Sequence, residues 1–462
     1  MILGGFSAPG GGADRGCSVS GPGVHEGGSE AGRGGVLIYG INYAPEIAGV
    51  GRYTGEIGAH LVARGHAVTV VTAPPHYPGW RPLAGYSAAR WSFEAVEGAK
   101  VYRCPLYLDA RMKGVKRLLA PLSFALSSAP AAFWQILRRR PKVVLIVEPT
   151  LFVAPIGLMA ARLTGARTVL HVQDLEVEAA FAVGHLGAGG ALARVAMAFD
   201  RAMARRFDRV VTISNRMAEK IVAKGVAPER VRVVRNWVDV DKIRPLSAPS
   251  PYRTELGIGE DAFVALYSGN IGAKQGVRLL IEAAERLERD PRIVFVVAGE
   301  GPMKPAVAEA AARLPNLKVL PFQPEARFSE FLSLADLHLL PQEREAADLL
   351  LPSKLGGMLA SGRRIVATAD PGTELADFLG KTCILTPPGD AAALAEAIAA
   401  AAAAPACALQ EAARLELACS LSKQSLIEAF AETVVFPGPG PADAPASQPH
   451  SGTPDDARHH PA

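Results

Sequence analysis

The sequence is poor in the features that mark several common protein classes. Its five cysteines (Cys17, Cys104, Cys383, Cys407 and Cys419) are odd in number, scattered and without a C-x-x-C pair. That argues against a disulfide framework or a cysteine zinc site and points to a reducing cytosol. Charged residues make up only 20% of the 462 positions and the formal net charge is +4. Such a mild excess suits an anionic substrate or acidic lipid, and no aromatic-basic motif accompanies it to call for nucleic acid. The first 34 residues hold twelve glycines and no apolar run, so they lack the basic start and apolar centre of a secretory signal and cannot offset the entropy of ordering. The tail from Pro437 has the same character, its His459-His460 pair included. Residues 1–35 and 437–462 are expected to be disordered.

Between these tails, short β-branched runs alternate with segments of helical periodicity, the pattern of parallel sheets covered by helices. The first set is Val36 to Ile41, Val68 to Ala73, Val143 to Pro149, Thr168 to Val172 and Arg209 to Ser214. The second is Phe263 to Gly269, Ile293 to Gly299, Leu317 to Pro321, Leu337 to Pro341 and Arg364 to Ala369. A proline-rich, aperiodic stretch from Asn236 to Ile258 separates them and reads as the interdomain connection. The expected fold class is α/β, with two doubly wound domains, 36–240 and 241–420, facing a central cleft. A helix over 421–436 is expected to pack back on the first domain. In such sheets ligands sit beyond the carboxyl ends of the strands, which directs attention to the residues just after each one.

The stretch "YAPEIAGVGRYTGEIGAHLVARGH", Tyr43 to His66, brings Gly49, Gly51 and Gly55 to the mouth of a helix. A dinucleotide fingerprint needs G-x-G-x-x-G tight against the first strand and an acid about 20 residues on. The glycine spacing here differs, and the second strand ends in Thr72-Ala73, so hydride transfer is disfavoured. What remains is a glycine loop whose free helix amides can meet an anion or an acceptor, at Gly49, Val50 and Gly51.

From this stretch onward the chain resembles glycosyltransferase family 4 proteins of GT-B fold, those of colanic-acid biosynthesis type above all. The likeness runs from about residue 36 to 435 through "LHVQDLEVEAAF", "FDRVVTISNRM", "VVRNWVDVDKIRP", "LYSGNIGAKQGVRLLIEAA", "VVAGEGP" and "LLLPSKLGGMLASGRRIVATA". The resemblance implies two Rossmann-like domains, an acceptor-binding N-terminal one and a C-terminal one for the nucleotide sugar, UDP- or GDP-linked. It further implies anomeric retention by a front-face displacement and, as acceptor, a lipid-linked oligosaccharide of exopolysaccharide or cell-envelope glycan synthesis. The enzyme would be cytoplasmic and peripheral to the inner membrane. No cofactor is expected: no D-x-D pair follows a strand to carry a metal, and cationic side chains with helix amides can take its place.

Breaking the anomeric C–O bond leaves negative charge on the departing diphosphate, so positive groups belong where that charge grows. Lys274 in "SGNIGAKQG" leads, with Gly269 and Asn270 beside it; Asn270 stands where relatives often carry an arginine. Gly299, Glu300 and Gly301 form a turn after a strand. In "LPSKLGG", Pro352-Ser353 reads as a helix start that offers the Ser353 hydroxyl, the Lys354 ammonium and the amides near Leu355 to the diphosphate. Many relatives carry two glutamates eight apart, the later on the ribose; here Gly357 and Leu349 fall at those places, and Glu343 and Glu345 are the nearby substitutes. On the facing domain His171 and Asp174 stand at a strand end, where a histidine can polarise the acceptor hydroxyl, with Glu176 and Glu178 as rival acids.

Residues 118–137 are mostly apolar and flanked by Lys113, Lys116, Arg117 and by Arg138 to Arg140. Two prolines and positive charge on both sides weaken a membrane span. The alternatives are an interfacial helix with Phe124, Phe133 and Trp134 immersed, or a core-packing element. Two other functions fit the overall pattern, a nucleotide-sugar 2-epimerase and a noncatalytic saccharide-binding relative, the latter because the glutamate pair is missing. Replacing Lys274 with Ala is expected to lower turnover by about two to three decades, the scale of one lost leaving-group stabiliser; turnover within about fivefold of wild type removes the role.

Overall fold

A computed structural model describes residues 34–46, 49–77, 79–109, 118–175, 190–272, 275–343 and 351–435. Two sheets carry the chain. The first comprises β1 (Val36–Tyr39), β2 (Val68–Thr72), β3 (Ser92–Val96), β4 (Ala99–Arg103), β5 (Val143–Glu148), β6 (Arg167–Val172), β7 (Arg209–Thr212) and β8 (Val231–Val233), in the order β3-β4-β2-β1-β5-β6-β7-β8. The second comprises β9 (Phe263–Ser268), β10 (Ile293–Ala298), β11 (Leu317–Leu320), β12 (Leu337–Leu340), β13 (Arg364–Thr368) and β14 (Ile384–Thr386), ordered β11-β10-β9-β12-β13-β14. The strands pair in parallel except for the β3/β4 hairpin. Every residue of β1, β2 and β5 is buried, because helices cover both faces; that is why these strands are unbroken Val/Ile/Leu runs. The β3/β4 hairpin closes through Glu97 and Gly98 with φ of 45° and 81°, the two positive torsions that let a two-residue turn follow the strand twist.

Helices of six residues or more are numbered in chain order. Those of the first domain are α1 (Gly49–Ala63), α2 (Leu119–Arg139), α3 (Ala154–Thr164), α4 (Ala191–Ala204) and α5 (Asn215–Ala223). One face of the sheet packs Val36, Ile38 and Leu145 against Ile57 and Leu61 of α1. The other packs Leu37, Val144 and Ile146 against Phe124 and Ile136 of α2, Leu158 of α3, Ala204 of α4 and Met217 of α5. The second domain holds α6 (Val277–Arg286), α7 (Lys304–Arg313), α8 (Leu355–Ala360), α9 (Glu374–Leu379), α10 (Ala391–Ala403) and α11 (Ala408–Ser420), and α12 (Lys423–Val435) ends the described chain.

The chain passes between the domains twice, and the two passages are hydrogen-bonded side by side. The Val238 amide donates to Leu421 O at 2.8 Å and the Lys423 amide to Val238 O at 2.8 Å. After the second passage α12 lies on the first domain, where Ile427, Phe430, Ala431 and Val434 complete the core beneath α1. His60 Nε2 of α1 and Arg64 Nη1 just after it reach Glu428 at 3.0 and 2.6 Å.

The apolar segment 118–137 lies within one helix, α2, with Pro130 inside it. Immersion of Phe124 is excluded, since that ring is fully buried in the core; Phe133 is half-buried, and of the three aromatics only Trp134 points outward. Among the described residues no single helix is long and apolar enough to cross a membrane.

Because α12 brings Phe430 under the first domain, Phe430→Ala should destabilise that domain by about 3–5 kcal/mol, the scale of a large core deletion. Urea denaturation measures it; a loss below about 1 kcal/mol would mean that α12 is dispensable.

Candidate active site

The carboxyl edge of the second sheet is built by glycine. β9 leaves through Gly269 and β10 through Gly299-Glu300-Gly301, and the two exits cross so closely that a Cβ on Gly299 would lie 1.8 Å from Gly269 O and one on Gly301 2.3 Å from Ile271 O. No side chain fits in such a gap. The crossing is zipped by Ile271 N to Glu300 O at 2.8 Å and Met303 N to Ile271 O at 2.9 Å, while the Tyr267 hydroxyl donates to Asn270 O at 2.6 Å. Asn270 is exposed above it. Glu300 turns away, its carboxylate paired with Lys304 Nζ at 2.6 Å.

Lys354 fills the space under this crossing. Its Nζ lies 3.9 Å from the centroid of the Tyr267 ring and 3.7 Å from where a Gly269 side chain would start. Part of the lysine stem reaches solvent, but Nζ itself does not, and it has no hydrogen-bond partner among the described residues. A buried, unpaired ammonium is costly, and burial pushes its pKa down to about 7. The ring face offsets part of that cost. An anion over Gly269 and Asn270 would supply the missing partner.

Ser353 is exposed and lines a pocket between the domains with Leu355 and Leu421, facing Ile213, Arg235 and Asn236 of the first domain. It does not cap a helix: α8 starts at Leu355, its cap position is Lys354, and no side chain bonds the cap. The tight turn made by Leu355 N to Pro352 O at 2.9 Å displaces the expected start. Gly357 is buried in α8 with Leu332 and Phe328 where a side chain would go; a ribose-binding glutamate there would point into apolar core. Glu343 is half-buried just after β12. Lys274, Glu176, Glu178, Glu345 and Leu349 lie outside the described residues.

On the facing domain His171 takes a different place from the one expected. It is 1% exposed and packed 4.6 Å from the Phe430 ring of α12, with Nε2 3.2 Å from Gln173 Nε2 and Nδ1 unpartnered. Burial holds its pKa down at about 3, so it is a neutral core histidine and no group for an acceptor hydroxyl to reach. Gln173 links it toward the pocket, its Oε1 accepting from Asn236 Nδ2 at 3.1 Å. Asp174 is half-buried just past the end of β6.

Gly49, Val50 and Gly51 are the first residues of α1 itself, with Val50 against the core. Directly against them is a carboxylate absent from the expectations: a Cβ on Gly51 would come within 2.1 Å of Glu46 Oε2. Glu46 is buried and accepts from Asn42 Nδ2 at 3.0 Å and from the His76 and Tyr77 amides at 2.9 and 3.1 Å. A carboxylate at a helix N-terminus occupies the place a second anion would take. The signal lay in the sequence, three residues before Gly49.

A second missed group joins the domains. Glu374, in the first turn of α9, is buried and accepts from Arg235 Nη2 at 2.9 Å and from the Asn215 and Arg216 amides at 3.3 and 3.2 Å. Arg216 Nη2 returns a bond to Gly372 O at 2.7 Å. The second domain thereby satisfies the free amides of α5 in the first. Arg235 keeps a buried, unpartnered Nε beside the pocket.

Two parallel-sheet domains with a pocket between them and, at the carboxyl edge of the second sheet, a buried lysine beside a glycine crossing make up a GT-B framework. Residues 48–237 match the glycosyl transferase 4-like domain and residues 262–403 the glycosyl transferases group 1 domain. The chain is 43% identical over 350 residues to WcaI of Escherichia coli (strain K12), named as a colanic acid biosynthesis glycosyl transferase, a match spanning 74% of this chain and 84% of that protein. The chain therefore belongs to the family 4-type glycosyltransferases. It is 31% identical over 30% of its length to the alpha-galactosylglucosyldiacylglycerol synthase of Streptococcus pneumoniae, covering 39% of that protein. Among solved structures, Anabaena HepE in complex with UDP and glucose aligns at TM-score 0.61 and 17% identity over 86% of this chain and 98% of that one. WaaG, a glycosyltransferase involved in lipopolysaccharide biosynthesis, aligns at TM-score 0.60 and 17% identity over 87% and 100%. These likenesses carry the fold.

Because the His171 imidazole is held neutral in the fold, the unfolded chain binds the extra proton below about pH 6.5, and stability falls as pH drops from there toward about 3. His171→Gln should remove up to about 1.4 kcal/mol per pH unit from that slope, measured by denaturation between pH 6.5 and 4.5, with turnover changed less than about tenfold. A loss of turnover beyond about a hundredfold with the slope unchanged would return His171 to the reaction centre.

Proposed function

We propose that the chain transfers a sugar from a nucleoside-diphosphate sugar, with retention and without a metal ion, to a lipid-linked saccharide in exopolysaccharide or cell-envelope glycan synthesis at the cytosolic face of a membrane. The observation that carries the donor assignment is the unpaired Lys354 Nζ beneath the Gly269/Gly299 crossing. A diphosphate seated over Gly269 would bring its oxygens to that ammonium, whose Nζ lies 3.7 Å from where a Gly269 side chain would start. The ammonium is worth most when the sugar C–O bond breaks and charge accumulates on the leaving oxygen. Arg235, at the pocket wall, keeps an unbonded Nε–H beside its pair with Glu374 and would offer that donor to a bound nucleotide.

In the front-face route the acceptor hydroxyl attacks the anomeric carbon on the side the diphosphate leaves. The C–O bond to phosphate breaks, the new C–O bond forms on the same face, and the acceptor proton passes to the departing phosphate oxygen. That route asks for no protein nucleophile, in keeping with a neutral, buried His171. The Glu46 carboxylate beside Gly51 orders the loops from Asn42 and His76 where an acceptor would enter. The likeness to WcaI, by name a colanic acid enzyme, supports a glycan of that kind, and the HepE complex with UDP and glucose supports a uridine donor as the first to try.

Thermal shift with UDP- and GDP-sugars tests the donor reading, since a bound ligand raises stability by mass action; no shift with any of them contradicts it. Lys354→Met should cut turnover by about two to three decades. With the lysine at about 7 in the empty site, nucleotide binding above that pH must draw in a proton, so wild-type affinity should weaken from pH 7 to 9 and the variant's should not. Turnover within about fivefold of wild type, or an unchanged pH dependence, would exclude Lys354.

A further inference from the structure

The outer side of the helix layer α2, α3 and α4 is apolar where a solvent-facing surface would be polar. Along α2 the exposed positions recur every three or four residues and carry Leu119, Leu122, Leu126, Pro130 and Trp134, the stripe that amphipathic helices normally give to water as charged residues. Leu126 is 78% exposed. Beside it α3 exposes Met159 and Leu163, and α4 exposes Val195. The three helices form one layer: they cover the same core, and Phe152 just before α3 stacks on Phe199 of α4 with ring centroids 5.9 Å apart. Between α3 and α4 runs a groove floored by Leu158, Met159, Leu163 and Met203 and rimmed by Arg162 and Arg206. At the edge, exposed Trp91 donates its indole N–H to Ser127 O of α2 at 3.3 Å. Exposed apolar area on this scale marks an interaction surface.

Charge selects the partner. α2 and α3 contain no acidic residue, and the one acid of α4, Asp200, is buried 2.6 Å from Lys224 Nζ. The charges left on this layer are exposed guanidinium groups, among them Arg138, Arg139, Arg162, Arg194, Arg201 and Arg206. A mixed-charge protein surface would leave most of them unmatched. Anionic headgroups match them all, while leucine, methionine and tryptophan enter the acyl boundary.

We propose that the outer face of α2, α3 and α4 is a docking plane for an anionic phospholipid bilayer, with guanidinium groups on the phosphates and the apolar stripe immersed. The surface differs from the one expected for residues 118–137 alone, because Phe124 is in the core and two further helices supply the rest. α3 begins just past the carboxyl end of β5, the edge of the sheet beyond which ligands sit in such folds. The docking stands apart from the identity of donor and acceptor.

Flotation of the full chain with vesicles of phosphatidylglycerol and phosphatidylethanolamine, against phosphatidylcholine alone, tests it. The chain should float with the first and not the second, and about 0.5 M salt should release much of it. Two variants, Arg138→Glu/Arg162→Glu/Arg206→Glu and Leu126→Asn/Trp134→Ser/Leu163→Asn, should each lower the bound fraction about tenfold. Since all six positions are exposed, melting temperature and nucleotide-induced stabilisation should be unchanged, which separates this test from that of the donor site. Absence of flotation with anionic vesicles, equal flotation with phosphatidylcholine, or variants that float like wild type would overturn the proposal. So would a dimer, seen by light scattering, that only the apolar variant dissolves.

Discussion

A lysine amine held out of water without a hydrogen-bond partner is the interaction on which the reading of the second domain depends. Among the described residues Lys354 Nζ has no hydrogen-bond partner and lies against the Tyr267 ring and the Gly269 backbone. An isolated ammonium in such a place tends to give up its proton, and a protein keeps one where a ligand's charge will arrive. The crossing exists because neither Gly299 nor Gly301 leaves room for a side chain. It positions exposed Asn270 above and the lysine below. The buried strands of the sheet hold both to their places, a rigidity on which charge stabilisation in a transition state depends.

The facing domain is tied to this one by backbone and by charge. Two passages of chain run side by side at Val238 and Leu421, and Glu374 reaches across to the amides that open α5 and to Arg235. Those bonds surround the pocket that Ser353 and Arg235 share. Pocket and domain contact therefore meet at Arg235, whose guanidinium serves Glu374 with one nitrogen and leaves another unpaired.

The fold was readable where burial is complete. β1, β2, β5, β9 and β10 are apolar runs because both their faces are covered, and the GT-B resemblance, drawn from motifs in order, agrees with the family the chain belongs to. β3, β4, β8 and β14 escaped notice: they lie at or beside sheet edges, where one side is open to water and the apolar run is broken. Lys354 was legible from "PSK" after a strand, but its burial was not, since that comes from Tyr267 and Gly269 in another part of the chain. His171 was misread because position at a strand end does not reveal which helix will lie on it; α12 arrives from more than 250 residues away and closes over the ring. Glu46 and Glu374 went unseen for the same reason, their partners being backbone amides brought in by folding.

The central claim is that the diphosphate of the donor meets the buried ammonium. A crystal structure with bound UDP or GDP addresses it directly. The account predicts a phosphate oxygen within hydrogen-bond distance of Lys354 Nζ, over Gly269 and Asn270. A well-ordered nucleotide whose phosphates lie elsewhere, with Nζ still unpartnered against Tyr267, would contradict it.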